Sequence, residues 1–294
     1  MSDMIVPRNR TDPVHVLGAA GRIGQAVCRE LAYQGVPYIP LVRDTLTWRK
    51  AGLPGTPRTV DALDSYAMRE ALKDSVRVLS CLSPHHTSTI VAATEPDVLL
   101  VLMGNARRYL AMPDSAGLAA MEGERILRGA GRPSVILHPT MIYGLPSRDP
   151  VQLWSSWMRL LPVLPLPEGG EAKIQPLAIT DLVSCIVAAL DRNWPTPTVL
   201  PISGGQVLSI ADFLQLIAQV TQVRMPSLLN IPRFALPALS PFTAFVPGLR
   251  LIGQDDLRNF AEDRIVDTTA MTAELGVSPI SFETGLKAMF AGGS

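Results

Sequence analysis

An α/β fold, with a doubly wound parallel sheet and a smaller C-terminal cap, is predicted from three observations. The chain opens on a strand, a glycine-rich turn and a helix; apolar runs then alternate with helix-period segments; and the second half turns proline-rich. The opening stretch is Val14-His-Val-Leu-Gly18-Ala-Ala-Gly21-Arg-Ile-Gly24-Gln-Ala-Val-Cys28. Its first residues form a short buried strand, and Ile23, Val27 and Leu31 start a helix directly after the third glycine. Glycine suits such a turn because the backbone must reverse sharply, the helix must pack close to the strand, and bare N–H groups must stay accessible. The positive end of the helix then favours phosphate. Dinucleotide binding by Gly18, Ala20, Gly21, Arg22, Ile23 and Gly24 is therefore expected, against the competing reading of a glycine-rich turn without a ligand.

The elements follow in order. Gly35 to Val42 reads as a second strand ending at Arg43-Asp44, Asp64 to Lys73 as a helix, and Val76 to Leu82 as a strand. Thr87 to Thr94 is a short helix, and Asp97 to Met103 is a continuous apolar run of the kind found in parallel sheets buried on both faces. Ser115 to Arg128 is helical, with Asp114 as N-cap and glycine near its end, and Ser134 to His138 is the next strand. This alternation is that of a Rossmann-type sheet spanning residues 1–144. Fifteen of the 26 prolines then fall between Pro139 and Pro247, which suggests irregular, loop-connected structure. Residues 145–173 and 207–294 are assigned to the cap, with 174–206 returning to the main domain. Asp149 to Leu161 and Leu208 to Val220 are the clearest cap helices, and Thr180 to Leu190 is expected to cover the sheet.

Bulk properties exclude several classes. Formal net charge is zero and no basic run is long enough to mark a nucleic-acid surface. Cys28, Cys81 and Cys185 are odd in number and lie in apolar segments, so they read as buried thiols of a reducing compartment. Met1 to Pro13 is polar, without a signal-peptide core, and a cytoplasmic location is expected. No apolar stretch is long enough for a transmembrane helix. Phe234 to Leu249 is uncharged but interrupted by Pro237, Pro241 and Pro247, which leaves an apolar lid, or a patch resting on a membrane or a larger complex, open.

The chain resembles the short-chain dehydrogenase/reductase superfamily in its atypical or extended, epimerase/dehydratase-like branch. The resemblance is carried by Gly18-Ala-Ala-Gly21-Arg-Ile-Gly24, Val60-Asp-Ala-Leu-Asp64, Ser134-Val-Ile-Leu-His-Pro-Thr-Met-Ile-Tyr-Gly144, Ile174-Gln-Pro-Leu-Ala-Ile-Thr-Asp181 and the tail from Val266 to Leu286. The tail looks like the group that contains the accessory nucleotide-binding subunit of respiratory complex I. The superfamily's catalytic pair, a Tyr with a Lys four residues later, is missing. Only four of the 26 basic residues are Lys, and the positions four before them are Leu46, Arg69, Gly169 and Glu283.

The resemblance implies further roles. Arg43 directly follows the second strand, where a cation would accommodate the 2′-phosphate of NADP, whereas an acid would bind the ribose of NAD; NADP is favoured, with NAD as the alternative. Asp61 matches a position that meets adenine, or else it stabilises a turn. Leu82 and Ser83 should close over the ribose next to the nicotinamide, and Pro139 is a further cofactor-binding residue. Tyr143, His138, Tyr109 and Asn105 are the candidates for proton transfer by location. The adjacent His85 and His86 lack the partners of a metal site, so no metal is expected. Trp154 and Trp157 could line a substrate cleft or pack in a core, and Asp181 reads as an acid favoured by a helix N-terminus. The expectation is an NAD(P)(H)-dependent oxidoreductase or sugar-nucleotide epimerase-like enzyme acting on a small molecule. The alternative is a non-catalytic NADP(H)-binding subunit or redox sensor.

Overall fold

The computed structural model describes residues 11–147, 149–232 and 262–291. The apolar stretch from Phe234 to Leu249 lies outside the described residues. In the first half the strands are β1 (Val14–Leu17), β2 (Tyr38–Val42), β3 (Arg58–Thr59), β4 (Arg77–Ser80), β5 (Leu99–Met103) and β6 (Ser134–Pro139). Between them run α1 (Arg22–Tyr33), α2 (Thr45–Ala51), α3 (Ser65–Leu72), α4 (Thr87–Ala93) and α5 (Ser115–Ala130). The second half supplies β7 (Ile142–Tyr143), α6 (Pro150–Leu160), β8 (Val163–Pro167), β9 (Lys173–Ile174), β10 (Leu177–Ala178), α7 (Ile179–Asp191) and β11 (Thr198–Ile202). It ends with β12 (Leu208–Ser209), α8 (Ile210–Thr221), β13 (Ser227–Ile231), α9 (Thr269–Leu275) and α10 (Phe282–Ala291).

Seven parallel strands form the main sheet in the order β11-β6-β5-β4-β1-β2-β3. Strand order reverses between β1 and β4, so a crevice opens outside their carboxyl ends, the place where doubly wound sheets bind ligands. The inner strands are buried along their whole length, which is why they read as continuous apolar runs. Their side chains still alternate. Val101 and Leu137 pack with α1 and α7 on one face, while Leu100, Leu102 and Ile136 meet α3, α4 and α5 on the other.

Helix α2 escaped the sequence reading because Trp48 is its one buried residue; its signals are local, an Asp44 N-cap and Gly52 in the left-handed region at φ 64°. The proline-rich half also contains more regular structure than expected. β8 and β13 pair in parallel, with Pro165 and Pro167 tolerated because a two-stranded ribbon leaves one side of each strand unpaired. β7 pairs with β10, and β9 with β12. Helix α8 starts at Ile210 instead of Leu208, since Ser209 and Asp212 form a capping box.

The cap has its own core, in which Tyr143, Trp154, Trp157, Phe213 and Phe282 are buried. The tail does not belong to it throughout. Met271 and Leu275 of α9 pack with the main-sheet core, whereas α10 packs with the cap residues through Phe282 and Leu286.

Candidate functional site

A cleft of about 650 Å³ lies at the carboxyl edge of the main sheet, between the turns after β1, β4, β5 and β6 and the wall of the cap. The β1–α1 turn forms one end. Gly18 has φ +73°, a left-handed conformation, and a Cβ there would stand 3.0 Å from Leu82 Cδ2. A Cβ on Gly24 would lie 2.2 Å from the Gly18 carbonyl oxygen, so glycine lets the helix approach the strand this closely. Gly21 is the N-cap of α1; no side chain caps the helix, and its first turn carries no acid. A helix end without a side-chain cap or an acid is of the kind that suits an anion. Arg22 and Ile23 line the cleft, and Arg22 Nη1 donates to the Ser147 carbonyl at 3.0 Å, linking the turn to the loop before α6.

Leu82, Ser83 and Pro139 also line the cleft. Arg43 and Asp61 are exposed beyond the ends of β2 and β3, outside its walls. Asp44 is held locally: Oδ1 accepts from Leu46 N–H at 2.9 Å and Oδ2 from the Thr47 hydroxyl at 2.7 Å. These bonds, that from Thr47 foremost, hold its carboxyl below the usual carboxylate range. Asp61 Oδ1 accepts from Leu63 N–H at 3.0 Å, as in an Asx turn.

At the inner end of the cleft the sequence candidates separate. Asn105 and Tyr109 line it; His138 and Tyr143 do not. Tyr143 sits in the cap core, edge-on to Phe282 with ring centroids 5.0 Å apart, and burial pushes its phenol upward. His138 is fully buried behind Gly104, where a Cβ would strike its Nδ1 at 2.2 Å. That Nδ1 accepts from the Asn105 N–H at 2.9 Å, which places the proton of a neutral ring on Nε2. Nε2 lies 3.0 Å from Glu124 Oε1, and Arg108 Nε approaches the same oxygen to 2.6 Å. Arg108 also stands over the Tyr109 ring at 4.6 Å, and the Tyr109 edge meets the His138 ring at 5.8 Å. Burial raises the Tyr109 phenol, with Arg108 opposing, so at neutral pH it is a proton donor.

Arg108 and Glu124 were not singled out in the sequence. Each is an ordinary helix or turn charge there, and only the fold brings them to one histidine. The cap wall supplies Met141, Leu145, Leu153, Trp154 and Trp157. The two indoles meet edge to face at 4.8 Å and are both core and lining, so the two readings offered for them coexist. Gln175, also unforeseen, donates to the Gly204 carbonyl at 3.3 Å and accepts from Val266 N–H at 3.0 Å, while Asp263 Oδ1 accepts from Lys173 N–H at 2.8 Å. Residues 263–266 thereby return to the mouth of the cleft. Asp181 accepts from Ile280 N–H at 3.0 Å, so besides opening α7 it anchors the tail.

Among the described residues no group of His, Cys, Asp and Glu could hold a metal ion, and no helix is long and apolar enough to cross a membrane. No protein-family model matches the chain, and no curated protein matches it. Solved structures do. An NADPH-dependent quinone oxidoreductase from Escherichia coli, complexed with NADPH, is 14% identical with a TM-score of 0.75, over 94% of this chain and 99% of that one. A UDP-glucose 4-epimerase from Thermotoga maritima, with UDP-glucose, is 17% identical with a TM-score of 0.72, over 96% and 99%. A UDP-glucuronic acid 4-epimerase from Bacillus cereus, with UDP-glucuronic acid and NAD, is 18% identical with a TM-score of 0.73, over 95% and 98%. Across almost its whole length, the chain has the Rossmann-like α/β fold shared by these epimerases and this quinone oxidoreductase.

Proposed function

We propose that the chain is an NADP(H)-binding protein of the atypical short-chain dehydrogenase/reductase type that reduces a carbonyl substrate in the cleft. The observation that carries the reading is the β1–α1 turn, with close-packed glycines and an uncapped helix end opening at the switch point of the sheet. The residues fit such a cofactor: Gly18 to Gly24 would cradle its diphosphate, and Leu82, Ser83 and Pro139 would border its nicotinamide end. Asp44 is engaged in capping α2, which leaves Arg43 as the side chain suited to a 2′-phosphate. When bound, the cofactor supplies hydride chemistry. The chain's own part is to hold the carbonyl oxygen near Tyr109 and Asn105 and to provide the phenolic proton, with Arg108 stabilising the phenolate left behind.

Mass spectrometry of nucleotide retained on the purified protein tests binding. NADP(H) is expected, and Arg43→Asp should shift the NADP/NAD affinity ratio toward NAD by tenfold or more. No retained nucleotide, together with no thermal shift from NADPH or NADH, would overturn the reading. A non-catalytic binder is the second reading, favoured by the missing Tyr/Lys pair. Tyr109→Phe separates the two: the catalytic reading expects carbonyl-dependent NADPH oxidation that falls at least 100-fold with NADPH affinity unchanged, and the other expects no turnover in either protein.

A further inference from the structure

We infer that the cap-side arm of the cleft takes an apolar, aromatic-sized ligand with one acceptor oxygen, an aryl ketone in chemical class, and not a sugar nucleotide. The inference rests on the proposal above, which leaves this arm for the second ligand once the glycine turn holds a dinucleotide. Met141, Leu145, Leu153, Trp154, Trp157 and Ile265 line the arm, with the two largely buried indoles packed edge to face behind its apolar wall. The neighbouring polar side chains Thr140 and Gln175 already serve the fold, and the Trp157 indole N–H is buried without a partner. The Thr140 hydroxyl donates to the Gln175 carbonyl at 2.5 Å, and the Gln175 amide binds backbone at both ends, at 3.3 Å and 3.0 Å. Each hydroxyl of a sugar would lose its bond to water here without an equal replacement.

A second diphosphate, away from the glycine turn and its helix N-terminus, would need cations. Arg107 is paired with Asp114 at 2.6 Å, Arg22 is engaged with the Ser147 carbonyl at 3.0 Å, and at the mouth Arg264 brings an acid, Asp263, beside it in the chain. The inner end is different. Asn105 Oδ1 accepts from Arg107 N–H at 3.0 Å, which leaves the amide to act as a donor, and Tyr109 adds a hydroxyl. Two donors at the end of an apolar slot match one carbonyl oxygen.

Titration calorimetry on the full chain saturated with NADP+, which has no hydride to give a ketone, using 2-acetylnaphthalene and UDP-glucose as probes, tests this. The ketone should bind at least tenfold more tightly than UDP-glucose. Ile265→Lys, on an exposed residue whose replacement leaves the core intact, and Leu153→Lys should each weaken the ketone at least tenfold while NADPH affinity stays unchanged. Equal or tighter binding of UDP-glucose, binding of neither probe, or a ketone affinity untouched by both variants would overturn the inference. NADPH affinity is measured first and separately. Its absence would overturn the dinucleotide proposal, while the ketone titration on the nucleotide-free chain would still read the apolar arm.

Discussion

A side-chain carbon on Gly24 would meet the Gly18 carbonyl oxygen at 2.2 Å and Ala19 Cα at 2.8 Å, both of them backbone atoms that cannot turn aside. Gly24→Ala therefore pushes α1 away from β1. A loss of about 1–3 kcal/mol is expected, as for overpacked cores, together with loss of NADPH binding. Gly129, in the exposed last turn of α5, has nothing within 4 Å of its added carbon; Gly129→Ala should stabilise the chain by about 0.5–1 kcal/mol through helix propensity and unfolded-chain entropy. Urea denaturation checks both signs. At the opposite edge of the sheet His15 is fully buried, 3.3 Å from Asp74, which itself forms a two-pronged pair with Arg58 at 2.9 Å. Burial lowers the His15 pKa from 6.5, despite the Asp74 charge, so the unfolded chain takes up the proton first as pH falls. Stability from the neutral ring is full above about pH 6.5 and is lost as pH falls from there through the lower folded value. The urea midpoint should be lower at pH 5 than at pH 7.5, and His15→Gln should flatten that difference; an equally steep fall in the variant would assign it to other groups.

Asp149 shows how one side chain sets an element's place. Its Oδ1 accepts from Val151 and Gln152 N–H at 2.9 Å and 3.3 Å, capping α6, while Oδ2 accepts from Leu145 N–H at 2.8 Å in the preceding loop. Asp149→Ala removes a cap and orphans a buried N–H, a loss of about 2–3 kcal/mol in thermal or urea unfolding, whereas Asp149→Asn should keep part of it. Signals of this kind make elements legible: Asp64 before α3, Asp114 before α5 and Gly131 after it all mark boundaries within a few residues. The buried strands were legible because both faces of a parallel sheet need apolar residues. The short cap strands were not, since two-residue pairings such as β7 with β10 leave no period to read. In the site, the glycine turn was legible from local spacing alone. The surroundings of His138 were not, because the Gly104–Arg108 segment, Glu124 and His138 itself come from three separate stretches of chain. For the same reason Tyr143 and Tyr109 looked alike in sequence, although one is a core residue and the other faces the cleft.

The main sheet and the cap meet where chain segments distant in sequence cross, and Gln175 stands at that crossing. It lies in the two-residue link between β9 and β10, 29 residues from Gly204 and 91 from Val266, and its amide holds both. The Thr140 hydroxyl binds its carbonyl, so the turn after β6 is drawn into the same knot. Arg264 N–H donates to the Lys173 carbonyl at 2.7 Å, and Asp263 accepts from Lys173 N–H, so residues 263–266 hang on β9 and on this one side chain. Gln175→Leu keeps the volume and removes both side-chain bonds. The global cost is expected to be modest, about 1–3 kcal/mol, because the two cores remain intact on either side. The local effect should be larger in proportion: the Val266 amide loses its acceptor, and its hydrogen exchange should quicken well before that of β5 or β6. Because Val266 and Ile265 line the mouth, the same variant should weaken a ligand in the apolar arm more than a dinucleotide at the glycine turn. Exchange at Val266 no faster than in the parent chain would show that β9 alone holds the segment in place.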